Sequence, residues 1–283
     1  EIAGDSEPGS ASLPRMRYVI PAVLSWAVLA GAAFAIEPVD VAAADIGAAD
    51  IVIVGEVHDN PAHHTAQAAV VAQVQPKAIV WEMLTPAQAG LVTPELIDNA
   101  TAMAERLDWD AAGWPDFSMY HPIFAAAPDA VSYGAAVPRD LAQAVMHEPL
   151  GAAFEAAAAY GLDRDLSDAH QLAREELQRV AHCDALPKDL LPAMVKVQRL
   201  RDATLAQAAV RALADTGGPV VVITGNGHAR KDWGVPSYLS GVVPKARVWS
   251  IGQAEDGNAP EGGFDVVWDA PEQARPDPCA AFK

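Results

Sequence analysis

The residues of this chain best suited to chemistry are its carboxylates and imidazoles, and several of them stand at corresponding places. Glu56 and His58 follow the apolar run Ile51–Gly55, with His63 and His64 about one turn further on. Glu82 closes the run Ala78–Glu82, and His228 lies in Thr224-Gly225-Asn226-Gly227-His228-Ala229-Arg230, directly after Pro219–Thr224. An ionisable cluster of this kind marks a site more often than it serves structure alone. One chemistry open to it is a divalent metal held by His58, Glu82 and His228, with Glu56 as base on a bound water and Glu56 and His58 as catalytic residues of a hydrolase. Arg139, at a predicted helix start, is oddly placed for a cation beside the positive end of a helix. An anionic partner, either Glu82 or a carboxylate of a ligand, accounts for it.

These residues need elements that bring them together. Ile51–Gly55, Ala78–Glu82 and Pro219–Thr224 are short, apolar and β-branched, the pattern of strands buried on both faces. Ala130–Ala136, Ala246–Ile251 and Phe264–Trp268 add three more strands, and Gly252–Gly263 reads as an exposed loop. Asn60-Pro61 opens a helix to about Val74. Thr93–Leu107, Phe117–Ala127, a helix opened by Pro138-Arg139-Asp140, a Ser-capped helix after Ser167 and a long Ala-rich helix ending at Gly217-Gly218 follow. The order predicts an α/β fold with a mostly parallel β-sheet flanked by helices and an inserted helical subdomain at 151–216. The two halves of the core then span 36–150 and 217–283. In such sheets ligands gather at the carboxyl ends of the strands, which is where Glu56, His58, Glu82, Arg139 and His228 fall. The aromatic stretch Trp109, Trp114, Phe117, Tyr120 and Phe124 reads as core packing or as an apolar wall against a flat ligand. His121, His147, His170 and His182 have no metal-ligand spacing.

Composition narrows the classes. The 283 residues carry 19 Lys+Arg against 37 Asp+Glu, a formal charge of −18, which argues against nucleic acid as a partner. No HExxH, GxSxG, phosphate loop or GxGxxG is present. Met16-Arg17, the apolar run Tyr18–Ala30 and the small residues Ala33 and Ala35 match a secretory signal, with residues 1–35 as leader and cleavage after Ala35. Export to the periplasm or beyond is the expectation, without lipid attachment, since no Cys is near that point. In an oxidising compartment the two cysteines, Cys183 and Cys279, can form a disulfide.

The segments GEVHDNPAHH, VWEM, WPDFSMYHPI, PRDLAQAV, VQRLRDATLA, TGNGHARKDWGVP and RPDPC, in that order, resemble the ChaN-type haem-binding proteins of the Tiki/TraB/erythromycin-esterase-like superfamily, over about residues 46–279. The resemblance implies an exported haem-binding protein of haem or iron uptake. It also implies a homodimer that encloses two stacked haems, and a link to an outer-membrane haem uptake system. It places a Tyr iron ligand where this chain has Trp233, which has no oxygen donor. Tyr120, Tyr238, His58 or His228 is then left as the axial ligand, with His64 nearby, and Arg139, Arg230 and Lys231 as partners for the propionates. A metal-dependent hydrolase of the same superfamily, and a binding module without haem, remain as alternatives.

Overall fold

The computed structural model describes residues 46–277 and 279–280, so the leader, its cleavage point and the export expectation rest on residues outside the described part. In chain order the elements are β1 (Ile51–Val54), α1 (Pro61–Val74), β2 (Ala78–Trp81), α2 (Pro86–Ala89), α3 (Pro94–Ile97), α4 (Ala100–Arg106), α5 (Trp109–Ala112), α6 (Phe117–Ala125) and β3 (Val131–Gly134). They continue with α7 (Arg139–His147), α8 (Asp168–Ala181), α9 (Leu191–Thr216), β4 (Val220–Ile223), α10 (Asn226–Ala229), α11 (Val235–Val242), β5 (Val248–Glu255) and β6 (Val266–Ala270).

The strands form one six-stranded sheet in the order β3-β2-β4-β1-β5-β6, and every neighbouring pair is parallel. The central registers are Ile51 opposite both Val220 and Val248, and Ala78 opposite Val220. All four residues of β1, β2 and β4 are buried, as strands covered on both faces must be. Val52 and Val54 point into one core layer with Trp81, Tyr120, Ile123 and Phe124. Ile51 and Ile53 point into the other, with Leu200, Ala203, Leu205 and Leu239. The Ala-rich face of α9 (Ala203, Ala206, Ala209, Ala212) is fully buried, so this helix packs closely on the sheet.

Helix boundaries follow from capping. The Asn60 side chain accepts from the Ala62 amide, Pro61 takes the first position of α1, and Ser167 accepts from His170 at the start of α8. Gly217, at φ +75°, ends α9 in the left-handed conformation.

Two expectations need correction. Thr93–Leu107 is two helices, not one: Asn99 caps α4 by accepting from the Ala102 amide at 3.0 Å, which breaks the run after Ile97. Gly252–Glu255 is not loop but the second half of β5, paired with β6 from Ile251 opposite Val266 to Glu255 opposite Ala270. The polar composition misled, because Gln253 is buried and donates to the Gly55 carbonyl at 2.6 Å and the His63 carbonyl at 3.1 Å. Cys183 and Cys279 are joined, with 5.4 Å between their Cα atoms, tying the C-terminal segment to the end of α8.

Candidate functional site

The carboxyl ends of β1, β2 and β4 lie side by side, because β4 is inserted between β1 and β2. The residues that follow these strands therefore meet although they are distant in the chain. The turn after β4 is bound to the turn after β1 by the Asn226 backbone N–H, which donates to the Glu56 carbonyl at 2.9 Å, and to β5 by the Asn226 side chain, which donates to the Gln253 carbonyl at 2.8 Å and accepts from the Gln253 amide at 3.0 Å. Gly55 is required here, since a Cβ would run into the Asn226 side chain.

Glu56 is buried at the centre. Its Oε1 accepts from the Tyr120 hydroxyl at 2.9 Å and lies 2.5 Å from Nδ1 of His58. Burial alone would lower the affinity of His58 for a proton, but the Glu56 hydrogen bond and the Glu82 and Glu56 charges outweigh it and hold the imidazole above its ordinary value. His58 is about a third exposed at its side chain and sits 5.0 Å, ring to ring, from Trp114. Its Nε2 lies over Gly225, where a Cβ would come within 3.0 Å.

A second charge group stands beside it. Glu82 Oε2 accepts from the Thr224 hydroxyl at 2.6 Å and the Gly225 amide at 2.8 Å, and Oε1 faces Nε2 of His228 at 3.4 Å. The other ring nitrogen of His228 lies 2.6 Å from Asp202. Desolvation opposes charge on His228, yet its two carboxylate neighbours push it up to about 10. For Glu82, burial works upward and loses to the His228 and His58 charges, so its carboxyl is held far below the usual range.

Each candidate residue now has a place. His58 is the imidazole whose side chain is partly exposed beside Trp114, with Nδ1 on Glu56 and Nε2 over Gly225. Tyr120 is fully buried, its hydroxyl donated to Glu56, and burial beside that carboxylate pushes it well above the ordinary phenol range. His228 has both ring nitrogens held by carboxylates. His64 is buried, with Nε2 2.8 Å from the His58 carbonyl oxygen and Nδ1 3.2 Å from Gln67, so it supports the His58 turn from below. His63 accepts from the Val57 amide and faces the Ala254 carbonyl, a structural role. Of the aromatic stretch, Trp109, Phe117, Tyr120 and Phe124 are core, and Phe124 stacks on Trp81 at 3.7 Å. Half-buried Trp114, with Val137, Leu205, Glu82 and Arg201, borders a cavity of about 110 Å³.

The metal set is a correction. Among the described residues no group of three or more His, Cys, Asp or Glu side chains is arranged to hold an ion. The reason lies in the partners: His228 is clamped between Asp202 and Glu82, and His58 is turned to Glu56. Arg139 is not paired with Glu82, whose oxygens are taken up by Thr224, Gly225 and His228; it is exposed at the first position of α7. Arg230 is buried and forms a two-pronged ion pair with Asp232 at 2.6 and 2.7 Å, with its guanidinium 3.8 Å over the Trp233 ring. Lys231 pairs with Asp265. Tyr238 lies on α11 beside Arg174 and Arg199.

Sequence reasoning passed over Asp202, which holds His228 from α9 at 2.6 Å, and Gln198, whose side-chain amide lies 3.1 Å from the same ring nitrogen. Their spacing of four residues puts both on one helix face, the signal that could have found them. Arg174 and Arg199 were passed over as well.

Comparison with protein families matches residues 42–239 to the family described as haem-binding uptake, Tiki superfamily, ChaN. Comparison with curated proteins finds no match. Among solved structures, ChaN of Campylobacter jejuni, described with cofacial haem binding, is similar at 17% identity and a TM-score of 0.59, over 78% of this chain and 88% of that one. The type III effector HopBA1 is similar at 13% identity and a TM-score of 0.43, over 81% and 92% of the two chains. An erythromycin esterase in its open conformation follows at 12% identity and 0.41, over 74% and 71%. At 17% identity the likeness to the Campylobacter protein speaks to fold alone.

Proposed function

The chain belongs to the haem-binding uptake family of the Tiki superfamily, and from that premise we propose that it is an exported protein that binds haem for haem or iron uptake, with His58 as the residue that meets the iron. The observation that carries the assignment to His58 is its orientation. Nδ1 is held by the buried Glu56 carboxylate, so Nε2, which lies over Gly225, is the ring nitrogen left for a ligand, in a side chain about a third exposed beside Trp114. A carboxylate behind a ligating imidazole sets its tautomer and raises its basicity. Bound haem would supply an iron centre whose free coordination positions and planar apolar ring do what no side chain here can.

The fit to the other candidates is poorer. Tyr120 and His228 would have to break the bonds to Glu56, or to Asp202 and Glu82, before either could reach a ligand. Trp233 is stacked on Arg230 and offers no donor atom.

The cavity of about 110 Å³ beside Trp114 cannot enclose a porphyrin, since pockets for ligands of that size run to roughly 300–1,000 Å³. The tetrapyrrole would then lie against an open face and need a cover. A second copy of the chain supplies one, in the manner of the cofacial binding described for the Campylobacter ChaN, which makes a homodimer around two haems part of the proposal. The Cys183–Cys279 disulfide supports an exported, oxidising location, and a role with an outer-membrane uptake system completes the proposal.

The test is a visible-spectrum titration of the purified protein with haemin, run alongside light scattering. A saturable Soret band that is lost in His58→Ala, with a mass that doubles on loading, is expected. A Soret band of unchanged position and affinity in His58→Ala overturns the ligand assignment, and no Soret band in the wild type overturns haem binding itself.

A further inference from the structure

Away from the Glu56 cluster, Arg174 on α8 and Arg199 on α9 are each only 8% exposed, a rare state for a guanidinium. Nε and NH1 of Arg174, and Nε of Arg199, have no hydrogen-bond partner. NH2 of Arg199 donates to the Gly161 and Arg164 carbonyls at 2.8 and 2.9 Å, which holds that guanidinium in one orientation. Both side chains border a cavity of about 270 Å³, joined there by Arg164, Ser237 and Tyr238. No Asp or Glu is among the residues lining it, in a chain with 37 of them against 19 Lys and Arg. The Tyr238 hydroxyl faces both buried guanidinium groups.

A buried cation without a full set of acceptors is costly. Asp202 offsets part of the Arg174 charge from behind, but that carboxylate is already engaged with His228. The Trp233 face lies 5.1 Å from the Arg174 guanidinium and supplies only a weak cation–π contact. The adjoining cavity of about 780 Å³ shares Arg164 and Arg199 but carries Asp163, Asp165, Asp168 and Glu175, so the positive field is confined to the smaller one.

We propose that this smaller cavity is a binding site for a small oxyanion, a carboxylate or phosphate group, gripped by the guanidinium groups of Arg174 and Arg199 that border it and by the Tyr238 hydroxyl. A guanidinium fork is matched to two oxygens of such a group, and the phenol adds one donor. Two sources supply that chemistry: a free anion in solution, or the propionate of a bound tetrapyrrole. The site itself does not depend on the haem reading, because a free anion tests it without haem.

Calorimetric titration of the whole protein with inorganic phosphate, and separately with acetate, at constant ionic strength decides the matter. Saturable binding of at least one of the two is expected, weakened about tenfold or more in Arg174→Gln, the scale of one lost charged hydrogen bond. Tyr238→Phe removes one hydroxyl and keeps the ring, so it serves where Arg174→Gln does not fold; a weakening of several-fold is expected. Absence of saturable binding for both anions, or an affinity unchanged in a folded variant, overturns the proposal. Repeating the titration on haem-loaded protein separates the sources: a lost anion signal assigns the site to a propionate, and a retained one to a free anion.

Discussion

Nδ1 of His58 lies 2.5 Å from Oε1 of Glu56, two residues away, and the same oxygen accepts from Tyr120, which comes from a helix more than sixty residues further on. The carboxylate thus links the ring that faces the open side to the core that holds it still. Glu56 acts as a positioning residue for His58.

Glu56→Gln should therefore weaken haemin binding by roughly 10–100-fold, the range seen when a partner behind a metal ligand is removed. Gln offers a poorer acceptor to the imidazole while keeping the volume. Spectral titration checks the affinity. A shifted Soret maximum would mark an altered axial bond, which a change in folding alone would not produce.

Tyr120→Phe separates the two candidate ligands. The Tyr120 hydroxyl is fully buried against Glu56, so its loss should cost roughly 1–3 kcal/mol of stability. The Soret band should remain. Urea denaturation measures the first and haemin titration the second; disappearance of the band in a folded variant would return Tyr120 to the ligand position.

The pair of His228 and Asp202 should give stability a distinct pH dependence. The folded-state affinity of His228 for a proton is raised, from near 6.5 to about 10, so the native protein keeps a proton that the unfolded chain releases. The stabilisation is fully present below about pH 6.5, declines as the pH rises above it, and is gone once the pH passes about 10. Asp202→Asn should remove part of this dependence, Glu82 supplying the rest, and destabilise the fold by roughly 3–5 kcal/mol, because it strips a buried charge of one partner. Melting temperatures across pH 6 to 11 check the direction.

Reduction of Cys183–Cys279, or the double change to Ser, frees a loop closed over a sequence separation of 96 residues. The expected loss is roughly 2–5 kcal/mol. Denaturant midpoints with and without reductant measure it, and an unchanged midpoint would show that the link contributes nothing.

Much of the layout was readable from local pattern. The three central strands are short uninterrupted apolar runs, two of them wholly β-branched, the pattern of strands covered on both faces. Asn60-Pro61, Ser167 and Gly217-Gly218 mark helix ends by chemistry internal to a few residues. That Glu56, His58, Glu82 and His228 share one end of the sheet followed from their places after strands in a parallel α/β order. The break at Asn99 and the strand through Gln253 were hidden, because each rests on a side chain that takes a backbone partner, and composition does not reveal which polar side chains do so.

Residue types and their order along the chain settled the family, the parallel sheet and the end of it at which a site must form. They could not settle which donor is free, since that depends on pairings between residues far apart in sequence. Insertion of β4 between β1 and β2 brought His228 to Glu82, and α9 brought Asp202 to its other nitrogen. The same packing buried Tyr120 on Glu56, turned Arg230 onto Asp232 and left His58 facing the open side. Hydrogen-bond capacity is local to each residue, but its use is decided by the neighbours that folding delivers.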